Sequence, residues 1–95
     1  MIRVIASFKI NPDKVDEAIK IAGELIAETR KEKGCAQYDL VQSMEQANQL
    51  TIIEGWETQE DLDNHSASEH FARLVPQIGD VCIEPPSISG YLQLI

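Results

Sequence analysis

The sequence predicts an α+β fold, because segments with the two-residue period of strands alternate with segments of helical period. Residues 2–10 alternate apolar and polar side chains, whereas residues 15–29 repeat apolar side chains every three or four positions. The full order is strand, helix, strand, strand, helix, strand. That order is typical of the ferredoxin-like fold, in which both helices lie on one face of an antiparallel four-stranded sheet. At 95 residues we expect one domain spanning residues 1–95.

The first helix carries clear signals at both ends. Asn11 and Pro12 should end the first strand and begin the helix, since Asn caps free amides and Pro tolerates the first helical position. Gly34 follows the helix and is free to take a positive φ. Two further strands, over residues 35–43 and 50–57, are joined by a polar linker and predict a hairpin. The first and third strands should be central in the sheet.

The second helical region is predicted in two pieces. Thr58 with Asp61 three residues later resembles a capping box and predicts a short helix ending near His65. A second piece, capped by Ser66 or Ser68, should contain Pro76 and end at residue 79. The final strand region covers residues 81–84 and 88–95, and two prolines that cannot donate to a ladder interrupt it.

Composition excludes several classes of function. Sixteen acidic residues against eight Lys and Arg give a net charge of −8, which disfavours binding to nucleic acid or to acidic membranes. No apolar run approaches a bilayer span and no signal peptide pattern is present, so a cytoplasmic protein is expected. Cys35 and Cys82 should be reduced thiols, and neither lies in a metal-binding spacing, so no metal is expected.

Apolar side chains on both faces of the central strands predict a homodimer. On the third strand Leu50 and Ile52 point to one face and Ile53 to the other, while Ile5 projects away from Val4 and Phe8 on the first strand. Helices cover only one face, and a second subunit should cover the other. The uncharged segment 85–95 should pack across that partner.

Chemically capable side chains concentrate between residues 53 and 71. This stretch contains the only tryptophan, Trp56, both histidines, His65 and His70, and Glu54 on the same strand face as Trp56. A strand running into a short helix brings such rings and carboxylates to one sheet edge. If the chain has a site, we expect it there.

The order of these residues resembles the antibiotic biosynthesis monooxygenase domain family, in particular its quinol monooxygenases. The resemblance rests on Gly34, Cys35 and Tyr38, then Glu54 and Trp56, then the two histidines five residues apart, and it runs nearly end to end. It implies a dimeric α+β barrel formed by two ferredoxin-like sheets. It also implies oxidation of a small aromatic quinol by O2 without metal, flavin or nucleotide, in a dry pocket between the helices and the inner sheet face.

By this resemblance the catalytic residues are His65, as the base, and Glu54, which would orient an imidazole or bind a hydroxyl. A neutral imidazole has a pKa of about 6.5, which suits proton abstraction from an activated phenol. The implied substrate-binding residues are Trp56, as a stacking platform, together with His70, Tyr38, Phe71, Ile52 and Ser7. Ile52 stands where relatives acting on polycyclic quinols have a polar residue. Haem-degrading relatives rely on an asparagine on the first strand and on a tryptophan and a histidine on the later helix. In this chain Ser7, His65 and Val75 stand at those positions, which argues against haem chemistry.

Other interpretations stay open at this point. A proton-moving isomerase or signal-molecule processing enzyme of the same fold would use the same base. A non-catalytic, stress-associated dimer that binds small molecules would use the histidines structurally. Trp56 would then be a core residue, and Glu54 would form an ion pair across the dimer with Arg3 or Lys9. Cys35 is expected to be a small buried residue rather than a nucleophile.

Overall fold

A computed structural model describes residues 1–95 and has the predicted ferredoxin-like fold. Its elements are β1 (Ile2–Lys9), α1 (Val15–Thr29), β2 (Cys35–Gln42), β3 (Gln49–Trp56), α2 (Gln59–Ser66), α3 (Glu69–Asp80) and β4 (Ser87–Leu92), with a 3-10 turn over Pro12–Lys14 before α1. The strands form one antiparallel sheet in the order β2-β3-β1-β4. The prediction that the first and third strands are central is therefore confirmed.

Strand register defines an inner face, on which the core lies. Val4 pairs with Glu54, Ala6 with Ile52 and Phe8 with Leu50, and all six side chains are buried. Helix α1 contributes Ala18, Ala22 and Leu25 to the same core, and α3 contributes Leu74 and Ile78. The apolar stripes predicted from the sequence thus meet between the helices and one side of the sheet.

Side-chain caps set the helix starts. The Oδ1 of Asn11 accepts a hydrogen bond from the Asp13 amide at 3.0 Å, and Thr58 Oγ1 accepts one from the Asp61 amide at 3.1 Å. Of the two serines proposed for the next cap, Ser68 is the one that accepts, from the Phe71 amide. Each cap satisfies an amide that the first helical turn leaves without a partner.

The C-terminal part departs from the prediction in two places. Residues 81–84 form no strand and contribute only an isolated bridge between Cys82 and Ile10. The strand begins at Ser87, because the two prolines before it have no amide hydrogen to donate. Helix α3 also continues past Gly79 to Asp80.

The helices leave apolar side chains uncovered on both sides of the sheet. On the outer face Ile5 pairs with Ile53, and both are only half-buried, while Val41 is 41% and Tyr91 is 55% exposed. Every residue of β4 is exposed, on both faces. The predicted two-faced sheet is therefore present. No helix in the structure has the length and apolar character needed to cross a bilayer.

Gly34 fixes the loop between α1 and β2. Its φ is +79°, and a Cβ at this position would overlap the carboxyl group of Asp61 in α2. The Gly34 carbonyl accepts a hydrogen bond from the Glu57 amide at 2.9 Å, which ties the loop to the end of β3. Only glycine provides both the left-handed backbone and the space for Asp61.

Replacing Gly34 by Ala should lower the free energy of unfolding by about 2 kcal/mol or more, because the left-handed backbone alone costs a side chain about 1–2 kcal/mol. The overlap with Asp61 adds to this. Chemical denaturation at fixed protein concentration measures the change. Gly23→Ala is the matched control, since nothing lies within 4 Å of its added Cβ in helix α1. Equal stability of the two variants would contradict this account of Gly34.

Candidate active site

His65 lies at the centre of an aromatic cluster. It sits in the last turn of α2, on the inward side, and is 1% exposed. Its ring centroid is 4.7 Å from that of Trp56 and 5.2 Å from those of Tyr38 and Phe71. Burial lowers the pKa of His65, against the opposing effect of the hydrogen bond with Glu32. The imidazole is therefore neutral at neutral pH and available as a base.

One oxygen of Glu32 contacts both histidines. Glu32 Oε2 lies 2.7 Å from Nδ1 of His65 and 2.8 Å from Nε2 of His70. A carboxylate oxygen only accepts, so each histidine directs an N–H at Glu32. With its proton on Nδ1, His65 has a free lone pair on Nε2, and this buried atom has no hydrogen-bond partner within the chain.

Sequence reasoning missed Glu32. The residue lies in the run Arg30–Lys33, which is typical of an exposed, charged helix end, and its partners are 33 and 38 residues away. The only local signal is a single acid among three cations. Loop hydrogen bonds fix its backbone, because the Glu32 amide donates to Thr29 and its carbonyl accepts from Cys35.

Glu54 is the second buried acid of the site. It is 6% exposed on β3, and its Oε1 accepts a hydrogen bond from Trp56 Nε1 at 2.9 Å. Burial raises the pKa of Glu54 to about 7, despite the opposing Trp56 hydrogen bond, and nearby Glu32 adds to the rise. Within the chain Arg3 Nε donates to the backbone carbonyl of Glu54, and an ion pair of the Glu54 carboxylate across a dimer stays a prediction. Glu54 can therefore exchange a proton near neutral pH.

His65 and Glu54 line one cavity of about 200 Å³ between the inner sheet face and helices α2 and α3. Ten of its thirteen lining residues are hydrophobic, so bound polar groups must find their partners among a few side chains. A dry cavity of about 150 Å³ already accommodates benzene. The cavity is thus suited to one aromatic ring with small substituents.

The structure brings some predicted site residues to this cavity and not others. The predicted residues among those lining it are Glu54, His65, Tyr38, Phe71 and Ile52. Trp56 is fully buried behind the wall, where it bonds Glu54 and packs on His65, and His70 reaches Glu32 instead. Ser7 lies on the outer face and shares a hydrogen bond with Thr51, because its strand position is out of phase with Val4 and Phe8.

Tyr38 and Cys35 are protonated groups at neutral pH. Burial raises the pKa of Tyr38 well above its usual range, so its hydroxyl remains a hydrogen-bond donor at the cavity wall. Burial also raises the pKa of the Cys35 thiol, and both cysteines are free. A thiol with a raised pKa is a poor nucleophile, which agrees with the structural role expected for Cys35.

Glu54→Gln should make stability less dependent on pH. The neutral form of Glu54 stabilises the fold below its ordinary pKa of 4.5, and this contribution is lost as the pH rises through about 7. Gln stays neutral and keeps an oxygen for Trp56. Between pH 5 and pH 8 the free energy of unfolding of the variant should therefore rise relative to that of the wild type, by up to about 3 kcal/mol. Urea unfolding of both proteins at pH 5 and at pH 8 measures this change. If the difference in unfolding free energy between variant and wild type were the same at both pH values, Glu54 would not have the raised pKa.

Comparison with known proteins identifies similar chains. Residues 1–77 match the family model described as antibiotic biosynthesis monooxygenase. The putative monooxygenase Rv0793 of Mycobacterium tuberculosis is 30% identical over 88 residues, which cover 93% of this chain and 86% of the relative. Its solved structure superposes with a TM-score of 0.93.

Two further relatives define the extent of the similarity. A crystal structure of an antibiotic biosynthesis monooxygenase has a TM-score of 0.94 and 33% identity, with complete coverage of both chains. The protein sll1783 of Synechocystis sp. is 29% identical over 88 residues, and the chain spans 93% of its own length but only 60% of that relative. With most of its length matched by the family model, the chain belongs to the antibiotic biosynthesis monooxygenase family.

Proposed function

We propose that this protein is a cofactor-independent monooxygenase that oxidises a small dihydroxyaromatic compound with O2. The observation that supports this most directly is that His65, whose buried Nε2 has no hydrogen-bond partner within the chain, lines the same apolar, single-ring-sized cavity as Glu54. Deprotonation of a hydroquinone requires a base and a second proton-exchanging group in a cavity that excludes water. Family membership supports a monooxygenase-like activity.

In the first step His65 Nε2 accepts a phenolic proton. The resulting imidazolium is stabilised because its Nδ1–H already donates to Glu32. Glu54, in its neutral form, donates a hydrogen bond to the second oxygen of the ring, and Trp56 holds its other carboxyl oxygen in place. The protein thus generates an electron-rich anion next to a proton donor.

The anion then supplies the electrons that reduce O2. One oxygen atom forms a new bond to a ring carbon and the other leaves as water, so a hydroquinone and O2 give a hydroxyquinone and H2O. The two electron pairs come from the substrate, and the acid groups of the cavity return protons to the reduced oxygen. An apolar wall favours this step by excluding water from the reactive intermediate.

The proposed enzyme is a homodimer that works in the cytoplasm. Half-buried Ile5 and Ile53, with exposed Val41 and Tyr91, give the outer sheet face an apolar surface that a second sheet would cover. The C-terminal Leu94 and Ile95 are almost fully exposed and uncharged, in keeping with a tail that crosses onto a partner. Two such sheets would form the α+β barrel.

His65→Ala should reduce O2 uptake with a panel of single-ring hydroquinones by about tenfold or more, since it removes the base. An oxygen electrode measures the uptake. Circular dichroism and sedimentation should show that the fold and the oligomeric state are unchanged. Unaltered uptake would remove His65 as the base, and substrate turnover without oxygen consumption by the wild type would favour an isomerase.

Ile53→Lys should convert the dimer to a monomer, because it places a charge at the centre of the outer face. Ile19→Lys is the matched control, since Ile19 is a 38% exposed isoleucine on helix α1, away from that face. Sedimentation velocity measures both masses at the same concentration. A monomeric wild type, or dissociation of both variants alike, would contradict a dimer formed through the sheet.

A further inference from the structure

Three ligand atoms converge at the junction of the α1–β2 loop with helices α2 and α3. They are Glu32 Oε2, His65 Nδ1 and His70 Nε2, and all lie within 4.8 Å of one another. The two nitrogen-to-oxygen distances are 2.7 and 2.8 Å. The cluster adjoins the cavity through His65, whereas Glu32 and His70 do not line it, and His65 contributes Nδ1 here while its Nε2 is left without a partner.

Two imidazoles and one carboxylate form a donor set that binds Zn²⁺ and related ions. At metal-to-ligand distances of about 2.0–2.2 Å, ligand atoms around a tetrahedral ion lie about 3.4 Å apart. The Glu32 oxygen therefore needs to separate from each histidine nitrogen by about 0.6–0.7 Å, while the two nitrogens, at most 4.8 Å apart, approach each other to the same spacing. Side-chain rotations of this size leave the backbone in place.

Access and charge also favour a cation. The side chains of Glu32 and His70 are 16% and 15% exposed, so an ion can arrive from solvent and keep a water ligand, whereas His65 closes the site from inside at 2%. Among the neighbouring cations, Arg30 pairs with Asp39 and Lys31 with Glu28, and no ion pair joins Lys33 to Glu32. Glu32 therefore has only the histidines as side-chain partners.

We propose that Glu32, His65 and His70 form a binding site for a divalent first-row transition-metal ion, with Zn²⁺ as the natural fit. The ion replaces the two protons that now lie between the histidine nitrogens and the shared carboxylate oxygen. It binds His65 through Nδ1 and His70 through Nε2, and the fourth position holds water.

Metal binding changes the hydrogen-bonding character of the free His65 nitrogen. A neutral imidazole that gives the Nδ1 lone pair to a metal must carry its proton on Nε2, so this nitrogen becomes a donor instead of an acceptor. This consequence rests on the proposed function: an enzyme that uses Nε2 as its base is inhibited by the ion. The metal is thus a regulator of the site and not a cofactor of the reaction.

The test uses the untagged chain of residues 1–95, treated with chelator and titrated with CoCl2 and ZnCl2 in the absence of substrate. Co²⁺ should bind with one ion per chain and give visible d–d bands of a nitrogen-coordinated, four-coordinate ion. Glu32→Gln and His70→Gln should each weaken binding by about tenfold or more. Glu60→Gln, which makes the same charge change on the exposed surface of α2, should bind as the wild type does.

Nitrogen NMR of the histidine rings gives an independent measurement on the wild type. Zn²⁺ should move the His65 proton from Nδ1 to Nε2. Retention of the Nδ1 proton in excess Zn²⁺, or equal Co²⁺ affinity in wild type, Glu32→Gln and His70→Gln, would overturn the proposal. If Glu32→Gln does not fold by near-ultraviolet circular dichroism, His70→Gln and the NMR spectrum decide. None of these readouts needs turnover, so failure of the proposed oxygenation would leave the metal result intact.

Discussion

The site depends on the hydrogen bond between Glu32 and the Nδ1 of His65. A buried imidazole needs partners for both nitrogens, and a single carboxylate oxygen supplies only one of them. The other nitrogen is left as the one unsatisfied ring atom of the histidine. Unsatisfied buried polar atoms are destabilising, and a water, an ion or a ligand group that supplies the missing partner removes that cost.

The backbone around Glu32 keeps that hydrogen bond in place. The positive φ of Gly34 turns the chain back towards β2, and its missing side chain lets Asp61 of α2 approach. The loop and the helix that carries His65 are thus in direct contact two residues from Glu32. A short 2.7 Å bond between groups 33 residues apart in sequence requires this close approach of two elements.

Glu32 and Glu54 show how environment gives one residue type two tasks. Glu32, partly exposed in a loop, accepts from two imidazoles. Glu54, enclosed on a central strand, has a pKa near neutrality because burial disfavours its charge. Trp56 links Glu54 to His65, since its Nε1 donates to the carboxyl group of Glu54 and its ring packs against the imidazole of His65. Its full burial suits a residue that holds others in position.

Periodicity and caps carry most of the fold in the sequence. The alternation of β1, the stripe of α1 and the Thr58 cap are local signals, and each appears in the structure within a residue or two of its predicted place. The alternation also assigned Ser7 to the face opposite Val4, which conflicts with the site role that family resemblance implied for it. The structure follows the alternation, because strand pleating is fixed by local geometry whereas a site role is not.

What the sequence could not supply were contacts between distant segments. The pairing of Glu32 with two histidines arises only when the α1–β2 loop meets α2 and α3. The local sequence, a charged helix end, contains no pattern that predicts this contact. The burial of Trp56 was equally open, since an aromatic ring on a strand with apolar neighbours on both faces has no preferred side until the helices are placed. Residues 81–84 have strand-like composition but form only an isolated bridge, because the prolines that follow have no amide hydrogen with which to continue a β-ladder.

The position of β4 has a consequence for how molecules exchange with the chamber beside His65. Ile88 forms part of the chamber wall, yet it belongs to an edge strand whose residues are all exposed and whose only ladder is with β1. Segments with few packed neighbours open at a small fraction of the free energy of global unfolding. Fraying of this one strand would open the wall at Ile88 without displacing the helices that carry His65 and Phe71.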